Sequence, residues 1–414
     1  MSQLRVRTAV RPLRRRFPAQ DARLPTIDEL VAEERPEEPM HCLRPAAITE
    51  TAQAFVTAFP GEVLYAVKCN PEPGMLRALH AGGVRHFDCA SINEVALVRQ
   101  MFPQAAIHFM HPVKSRSAIR EAWVQHDVRD FAFDSTEELT KILAETHATG
   151  VRGGLGLIVR LALPNRGARL NLSGKFGASA GEAALLLREA RPHAPRLGVS
   201  FHVGSQCLDP LAWRRALAEV AALVQNAGVG VDVIDVGGGF PVSYPDMDPA
   251  PLGAYLAEID DGMERLGLPG TQLWAEPGRA LAAGGTSVVV QVQHRRGTAL
   301  YINDGTFGSL ADAGTLGFRY PVRLIRPDGP PPAREKIGFK FFGPTCDSTD
   351  VMQGPFLLPA DAAEGDWVEI GQLGAYGGCL RTAFNGFDRA RLVAVRDAPI
   401  PVAYTTGPLD SVAA

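Results

Sequence analysis

Lys68 follows Leu64-Tyr65-Ala66-Val67, a run of strand-forming apolar residues, and Asn70-Pro71 then stops the strand before a helical pattern begins. Burial disfavours an ammonium, so a lysine at the end of a buried strand can lose its proton and attack a carbonyl. The plainer use is a side chain that reaches solvent. In Trp274-Ala275-Glu276-Pro277-Gly278-Arg279 a carboxylate ends a second strand-like run and an arginine follows it. The first can hold a protonated ring nitrogen and the second can grip a phosphate with two donors. A mutual Glu276–Arg279 ion pair is the alternative. Phe201-His202-Val203-Gly204-Ser205-Gln206 offers a flat imidazole with a hydroxyl nearby, or simply a hydrogen-bonded core histidine. Asp235-Val236-Gly237-Gly238-Gly239-Phe240-Pro241 runs a strand into glycines whose N–H groups can converge on an anion. Pro241 argues against a long helix opening there, so this is not a dinucleotide fingerprint, and a tight turn is the other reading. Residues 343–350 place the Cys346 thiol beside Asp347 and Asp350, and Gly374-Ala375-Tyr376-Gly377 follows. Together these supply a lysine for a carbonyl, a phosphate cradle, an acid for a ring nitrogen and a planar group to stack on a ring. That is the equipment for pyridoxal phosphate.

Such residues need elements to hold them. Strand patterns at 63–67, 84–87, 106–109, 130–133, 157–161, 198–202, 231–236 and 272–275 alternate with amphipathic helical patterns. This rhythm predicts a (β/α)8 barrel rather than an open sheet. Lys68, Asp88, His111, Asp134, His202, Gly237 and Glu276 fall at or just past strand C-termini. That is where a barrel builds its site, although a doubly wound sheet gathers ligands at the same ends. After residue 283 short strand patterns (287–292, 299–302, 322–325, 340–342, 367–370, 391–395) are separated by turn clusters. The chain therefore divides into 1–44, too short to fold alone and completing the second domain; 45–283, the barrel; and 284–414, a mostly β domain.

With 414 residues and 46 % hydrophobic content the chain can bury a large core. A net charge of -3 gives no reason to expect nucleic acid. The six cysteines have no CxxC or zinc spacing and there is no HExxH or P-loop, so no metal is expected. Free thiols suit a reducing compartment, the cytoplasm. No apolar run approaches the roughly 20 residues of a membrane helix. Arg5, Arg7, Arg11, Arg14, Arg15 and Arg16 precede the first acid, Asp21; they read as a poorly ordered arm, or as a transit peptide.

The motifs YAVKCN, FDCAS, SGKFG, FHVGSQ, DVGGGFP, AEPGR, GPTCDS and GAY, in this order, resemble those of the ornithine/diaminopimelate/arginine decarboxylases. These are pyridoxal-phosphate enzymes with an alanine-racemase-type barrel. The resemblance implies that Lys68 bonds covalently to the cofactor, Glu276 faces its pyridine nitrogen and His202 stacks on its ring. It assigns Ser205, Gly237, Gly238, Gly239, Arg279 and Tyr376 to the phosphate, adds Gly278 to the cofactor contacts and places Asp88 near the lysine and cofactor. It makes Cys346 the proton donor to Cα, and makes Cys346 and Asp347 a pair reaching into a partner subunit's site in a homodimer. The diaminopimelate branch carries Cys-Glu-Ser where this chain has Cys346-Asp347-Ser348, which favours the branch that turns ornithine or lysine into a diamine in polyamine metabolism. One departure matters: the Tyr-Asp pair found in the basic amino acid branch downstream of Gly308-Ser309 is replaced by Thr315-Leu316, with Asp312 the nearest acid. Asp347, Asp312 and Tyr376 are then the candidate substrate contacts. Other readings are decarboxylation of diaminopimelate, carboxynorspermidine or arginine, amino acid racemisation, and a non-catalytic regulatory relative. Glu276 opposes racemisation, since the racemases place an arginine at that nitrogen.

Overall fold

A computed structural model describes residues 24–147, 154–163, 168–170 and 174–402, so the arginine-rich arm lies outside the described residues. Side-chain alternation explains the first domain. After β1 (Met40–Leu43) come β2 (Glu62–Ala66), β3 (His86–Cys89), β4 (Ala106–Phe109), β5 (Asp130–Phe133) and β6 (Gly156–Arg160). The short β7 (Ala168–Leu170) precedes β8 (Arg196–Ser200), and β9 (Ser205–Cys207) precedes β10 (Val233–Asp235) and β11 (Gln272–Ala275). The order β10-β11-β2-β3-β4-β5-β6-β8 closes on itself with parallel pairing, so the sheet is a barrel and not an open doubly wound one.

Each barrel strand is buried on both faces. Tyr65, Phe87, Phe109, Phe131, Val159 and Ile234 point outward into the core shared with the helices. Leu64, Met110, Ala132, Ile158, Val233 and Trp274 cluster separately as a plug inside the barrel. Because the side-chain period is two, Asp88, Arg160, Asp235 and Glu276 also face inward, nearer the C-terminal ends. At the N-terminal mouth, His86 Nδ1 lies 3.1 Å from His108 Nε2, and His108 Nδ1 lies 3.0 Å from Asp130 Oδ2, which forms a polar floor beneath the plug. Ser91, Ser115 and Ser179 cap the helices Ile92–Met101, Arg116–Gln125 and Ala180–Ala190 through their hydroxyls.

The second domain contains β12 (Thr286–Arg296), β13 (Ala299–Ile302), β14 (Val322–Ile325), β15 (Lys336–Phe342), β16 (Val351–Pro359), β17 (Trp367–Ile370) and β18 (Arg391–Ala394). Its main order is β14-β17-β12-β13-β15-β16, and β1 pairs with both β12 and β18. Val288, Leu300, Phe339, Phe341, Phe356 and Ile370 fill its core. Strand β16 is absent from the sequence reading because Gly354-Pro355 interrupts it. Among the described residues it pairs with β15 alone, and an edge strand tolerates a proline that has no N–H to give.

Candidate active site

Lys68 sits in a 3-10 turn, Val67–Cys69, directly after β2. Hydrophobic Val67 and Cys69 are buried and hold the turn, and the lysine side chain enters a cavity of about 410 Å³ at the C-terminal mouth of the barrel. That volume suits a small cofactor with its substrate. Lys68 Nζ lies 3.0 Å from Asp88 Oδ2. Although 42 % of the lysine side chain is accessible through the cavity, its walls still enclose the amine. Burial alone would lower its proton affinity. Asp88 first and Glu276 second outweigh that, and the ammonium is held above the ordinary lysine range. The turn is tied to the second domain, because Tyr376 N–H donates to the Cys69 carbonyl at 3.0 Å and Asn70 Nδ2 to the Gly374 carbonyl at 2.8 Å.

His202 follows β8, and its Nδ1 accepts the Gly204 N–H at 2.9 Å. Burial first, then the Arg160 and Lys68 cations, push the imidazole down to about 3. It is therefore a neutral ring on the cavity wall. Glu276 follows β11 and is buried. Burial first, then the Asp235 and Asp88 carboxyls, raise it well above the usual carboxylate range, with Lys68 and Arg160 opposing.

The three glycines need their freedom at two positions. Gly237 has φ +65 and a Cβ there would lie 2.0 Å from the Phe201 carbonyl oxygen; Gly239 has φ +101 and a Cβ would lie 2.5 Å from that of Gly204. Gly238 lines the cavity between His202 and Glu276, and a Cβ on it would meet His202 Nε2 at 3.0 Å. Arg279 donates from Nη1 to the Tyr244 hydroxyl at 3.0 Å and from Nη2 to Asp312 Oδ2 at 2.9 Å, while its buried Nε has no partner among the described residues. The phosphate of pyridoxal phosphate fits here. Gly238, Gly239, Gly278, Ser205 and Tyr376 line the same wall, and the orphaned Nε supplies a donor an anion would satisfy.

The structure thus brings Lys68, Asp88, His202, Ser205, Gly238, Gly239, Glu276, Gly278, Arg279 and Tyr376 to one cavity. Gly237 lies one residue behind the wall and is fixed by its carbonyl, which accepts the Glu276 N–H at 2.9 Å. Asp312 is placed differently: it is 8 % exposed, pairs with Arg279 from the second domain and is not among the residues lining the cavity. Cys346 and Asp347 do not line it either. Both are exposed on the loop between β15 and β16. The Cys346 N–H and thiol both donate to Asn385 Oδ1, at 3.1 and 3.2 Å. Asp347 accepts the Thr349 hydroxyl and N–H, which hold its carboxyl below the usual range. The loop is fastened by Asp350, which accepts Thr306 and Thr345.

Arg160 lines the cavity and Asp235 stands behind Glu276 with no exposed surface, and neither received a role from the sequence. Their signal was positional, an ionisable residue closing an apolar strand.

The chain matches the model of the pyridoxal-dependent decarboxylase pyridoxal-binding domain over residues 45–283 and that of the family's C-terminal sheet domain over 283–374. It is 33 % identical over 348 residues to the lysine/ornithine decarboxylase of Selenomonas ruminantium, covering 81 % of this chain and 84 % of that one. Among solved structures, the arginine decarboxylase of Paramecium bursaria Chlorella virus superposes with a TM-score of 0.78 at 27 % identity, over 89 % of this chain and 99 % of that one. The Vibrio vulnificus lysine/ornithine decarboxylase complexed with putrescine gives 0.75 at 30 % identity, over 90 % and 99 %.

Proposed function

The chain belongs to the pyridoxal-dependent decarboxylase family, and we propose that its substrate is a basic L-amino acid, ornithine or lysine or both, converted to a diamine with release of CO₂. The observation that carries this is the Lys68–Asp88 pair in one cavity with Glu276, Arg279 and the glycine wall. Similar chains named for ornithine and for lysine/ornithine decarboxylation support the substrate class.

Bound pyridoxal phosphate supplies an electron sink for the pair left on Cα when the carboxylate departs. The protein's own part is positional and electrostatic. Arg279 Nε, Ser205, Tyr376 and the glycine wall would hold the phosphate. Lys68 Nζ keeps its proton against Asp88 Oδ2, and once that proton leaves the amine is the cavity's nucleophile. Glu276 would hold a proton on the ring nitrogen. His202, neutral across the working pH range, gives a planar wall without a competing charge.

Protonation of Cα falls to Cys346, and recognition of the distal ammonium to Asp347 with Tyr376 beside the cofactor. Since Cys346 and Asp347 lie on the surface of their own chain, this reading requires a homodimer in which each loop completes the partner's cavity. The exposed Phe384 and Phe387 near that loop support such a contact. Polyamine synthesis is the corresponding pathway. Six free cysteines support a reducing compartment, the cytoplasm, and no helix among the described residues is long and apolar enough to cross a membrane. A CO₂-release screen over ornithine, lysine, arginine, diaminopimelate and carboxynorspermidine tests the proposal. Release from ornithine or lysine is expected, and strict preference for diaminopimelate or silence on both would overturn it.

A further inference from the structure

Asp235 has no role in the chemistry above, yet it ends β10 with no exposed surface. Its Oδ1 accepts the Gly237 N–H at 2.8 Å, while Oδ2 finds no donor among the described residues. The carboxyl stands beside that of Glu276, because β10 and β11 are parallel neighbours and both side chains face the barrel interior; Glu276 is 6 % exposed. Two ionised carboxylates in contact offer only acceptors, and in a dry interior they cannot both stay charged. A proton between them removes the repulsion and satisfies Oδ2. The other charged groups in reach do not remove that requirement. Lys68 and Arg160 act on Glu276 from β2's turn and from β6, Asp88 adds a third acid from β3, and His108 acts on Asp235 from β4.

We infer that Asp235 and Glu276 share a single proton, and that Asp235 takes it from Glu276 when the protonated ring nitrogen of the cofactor faces Glu276. This rests on the reading of Glu276 as the ring-nitrogen partner. In the transfer the Glu276 O–H bond breaks, its electron pair stays on Glu276 as carboxylate, and an O–H bond forms on Asp235. Nothing is exchanged with solvent. Asp235 is then a positioning residue: it donates to one side of Glu276 and leaves the anion turned toward the ring. Without it, Glu276 would have to release its proton to water from a buried site before it could face the ring nitrogen as an anion.

Asp235→Asn tests this, because the amide keeps an oxygen for the Gly237 N–H and gives Glu276 an N–H donor but cannot accept a proton. Difference infrared spectra of the holoenzyme and the variant, without substrate, read the un-ionised carboxyl band. The wild type is expected to retain the band with cofactor bound, and Asp235→Asn to lose it. Absence of the band in wild-type holoenzyme, or its persistence in Asp235→Asn, would overturn the proposal. Cofactor isotopically labelled at the ring nitrogen, read by NMR, separates the two readings. A protonated nitrogen is expected in the wild type, and an unprotonated one would remove Glu276 from its role and the inference with it. If the variant fails to bind cofactor, the wild-type band and its shift on deuteration still decide: a shared proton moves the band, and an unmoved spectrum refutes it.

Discussion

Asp350→Asn is expected to loosen the loop that carries Cys346. Asp350 is 3 % exposed and stands between two loops. Its Oδ1 accepts the Thr306 N–H at 2.7 Å and hydroxyl at 3.0 Å; its Oδ2 accepts the Thr345 N–H at 3.1 Å and hydroxyl at 2.7 Å. Asparagine keeps the shape but replaces one oxygen with a donor. On that side the threonine hydroxyl can turn and accept, whereas the backbone N–H cannot. Hydrogen bonds to a charged group contribute about 1.5–3 kcal/mol and neutral ones about 0.5–1.5 kcal/mol, so three retained bonds weaken by about 1 kcal/mol each. Losing the fourth and stranding its N–H costs about 3 kcal/mol more. Relief of the carboxylate's desolvation returns several kcal/mol, which leaves a net loss of about 3 kcal/mol. Relaxation offers little escape, since a Cβ on Gly305 or Gly343 would already lie 2.2 Å from Asp350 Oδ1. For a domain of this size that is a fall in Tm of roughly 10 °C. Calorimetry measures it, and alkylation of Cys346 in a Cys379→Ser background, which leaves it the one exposed thiol among the described residues, should speed up. A Tm shift under about 2 °C with unchanged alkylation would refute the reasoning.

Lys68→Ala should abolish turnover and covalent capture of the cofactor on borohydride reduction; labelling that survives would assign that bond to another lysine. Glu276→Gln should keep the cofactor bound and lower kcat about 10–150-fold, the equivalent of about 1.5–3 kcal/mol for a charge-assisted contact, and an unchanged kcat would count against its role. Mixed dimers of Lys68→Ala and Cys346→Ala subunits should regain part of the activity that each lacks, and demonstrably mixed dimers that stay inactive would argue for a site built within one chain. His202 titrates near 3 when folded and near the ordinary 6.5 when unfolded. Between those values the unfolded chain binds the extra proton, so this group's contribution to stability grows as pH rises from about 3 to 6.5 and is lost on acidification. Urea unfolding of His202→Gln should therefore lose less stability than the wild type between about pH 6.5 and 4, and equal slopes would contradict a buried neutral imidazole.

Much of the barrel was legible because several strands are short apolar runs that end in one polar residue, as in Val67-Lys68, Phe87-Asp88 and Ala275-Glu276. The inward or outward facing of a residue was not. Asp235 sits two positions past Val233 and so points into the barrel beside Glu276, but a residue buried on either face would look the same in the sequence. Asp312 stood near the expected distal contact in sequence, yet the short helix Ala311–Thr315 turns it to Arg279. Asn385 lies 39 residues from Cys346, and no local pattern joins the two.

The seam between the domains runs through the lysine's own turn, where Tyr376 N–H and Asn70 Nδ2 bridge to Cys69 and Gly374. The sheet domain is thus no detachable appendage to a self-sufficient barrel. Evolutionary drift on the sheet side of that seam reaches the nucleophile without altering any residue that touches a ligand. A side chain at Gly374 would disturb that anchorage, since its Cβ would fall 1.7 Å from the Ala282 carbonyl oxygen. Swapping sheet domains between relatives would be an exchange of catalytic parts, because each brings its own half of the lysine's anchorage.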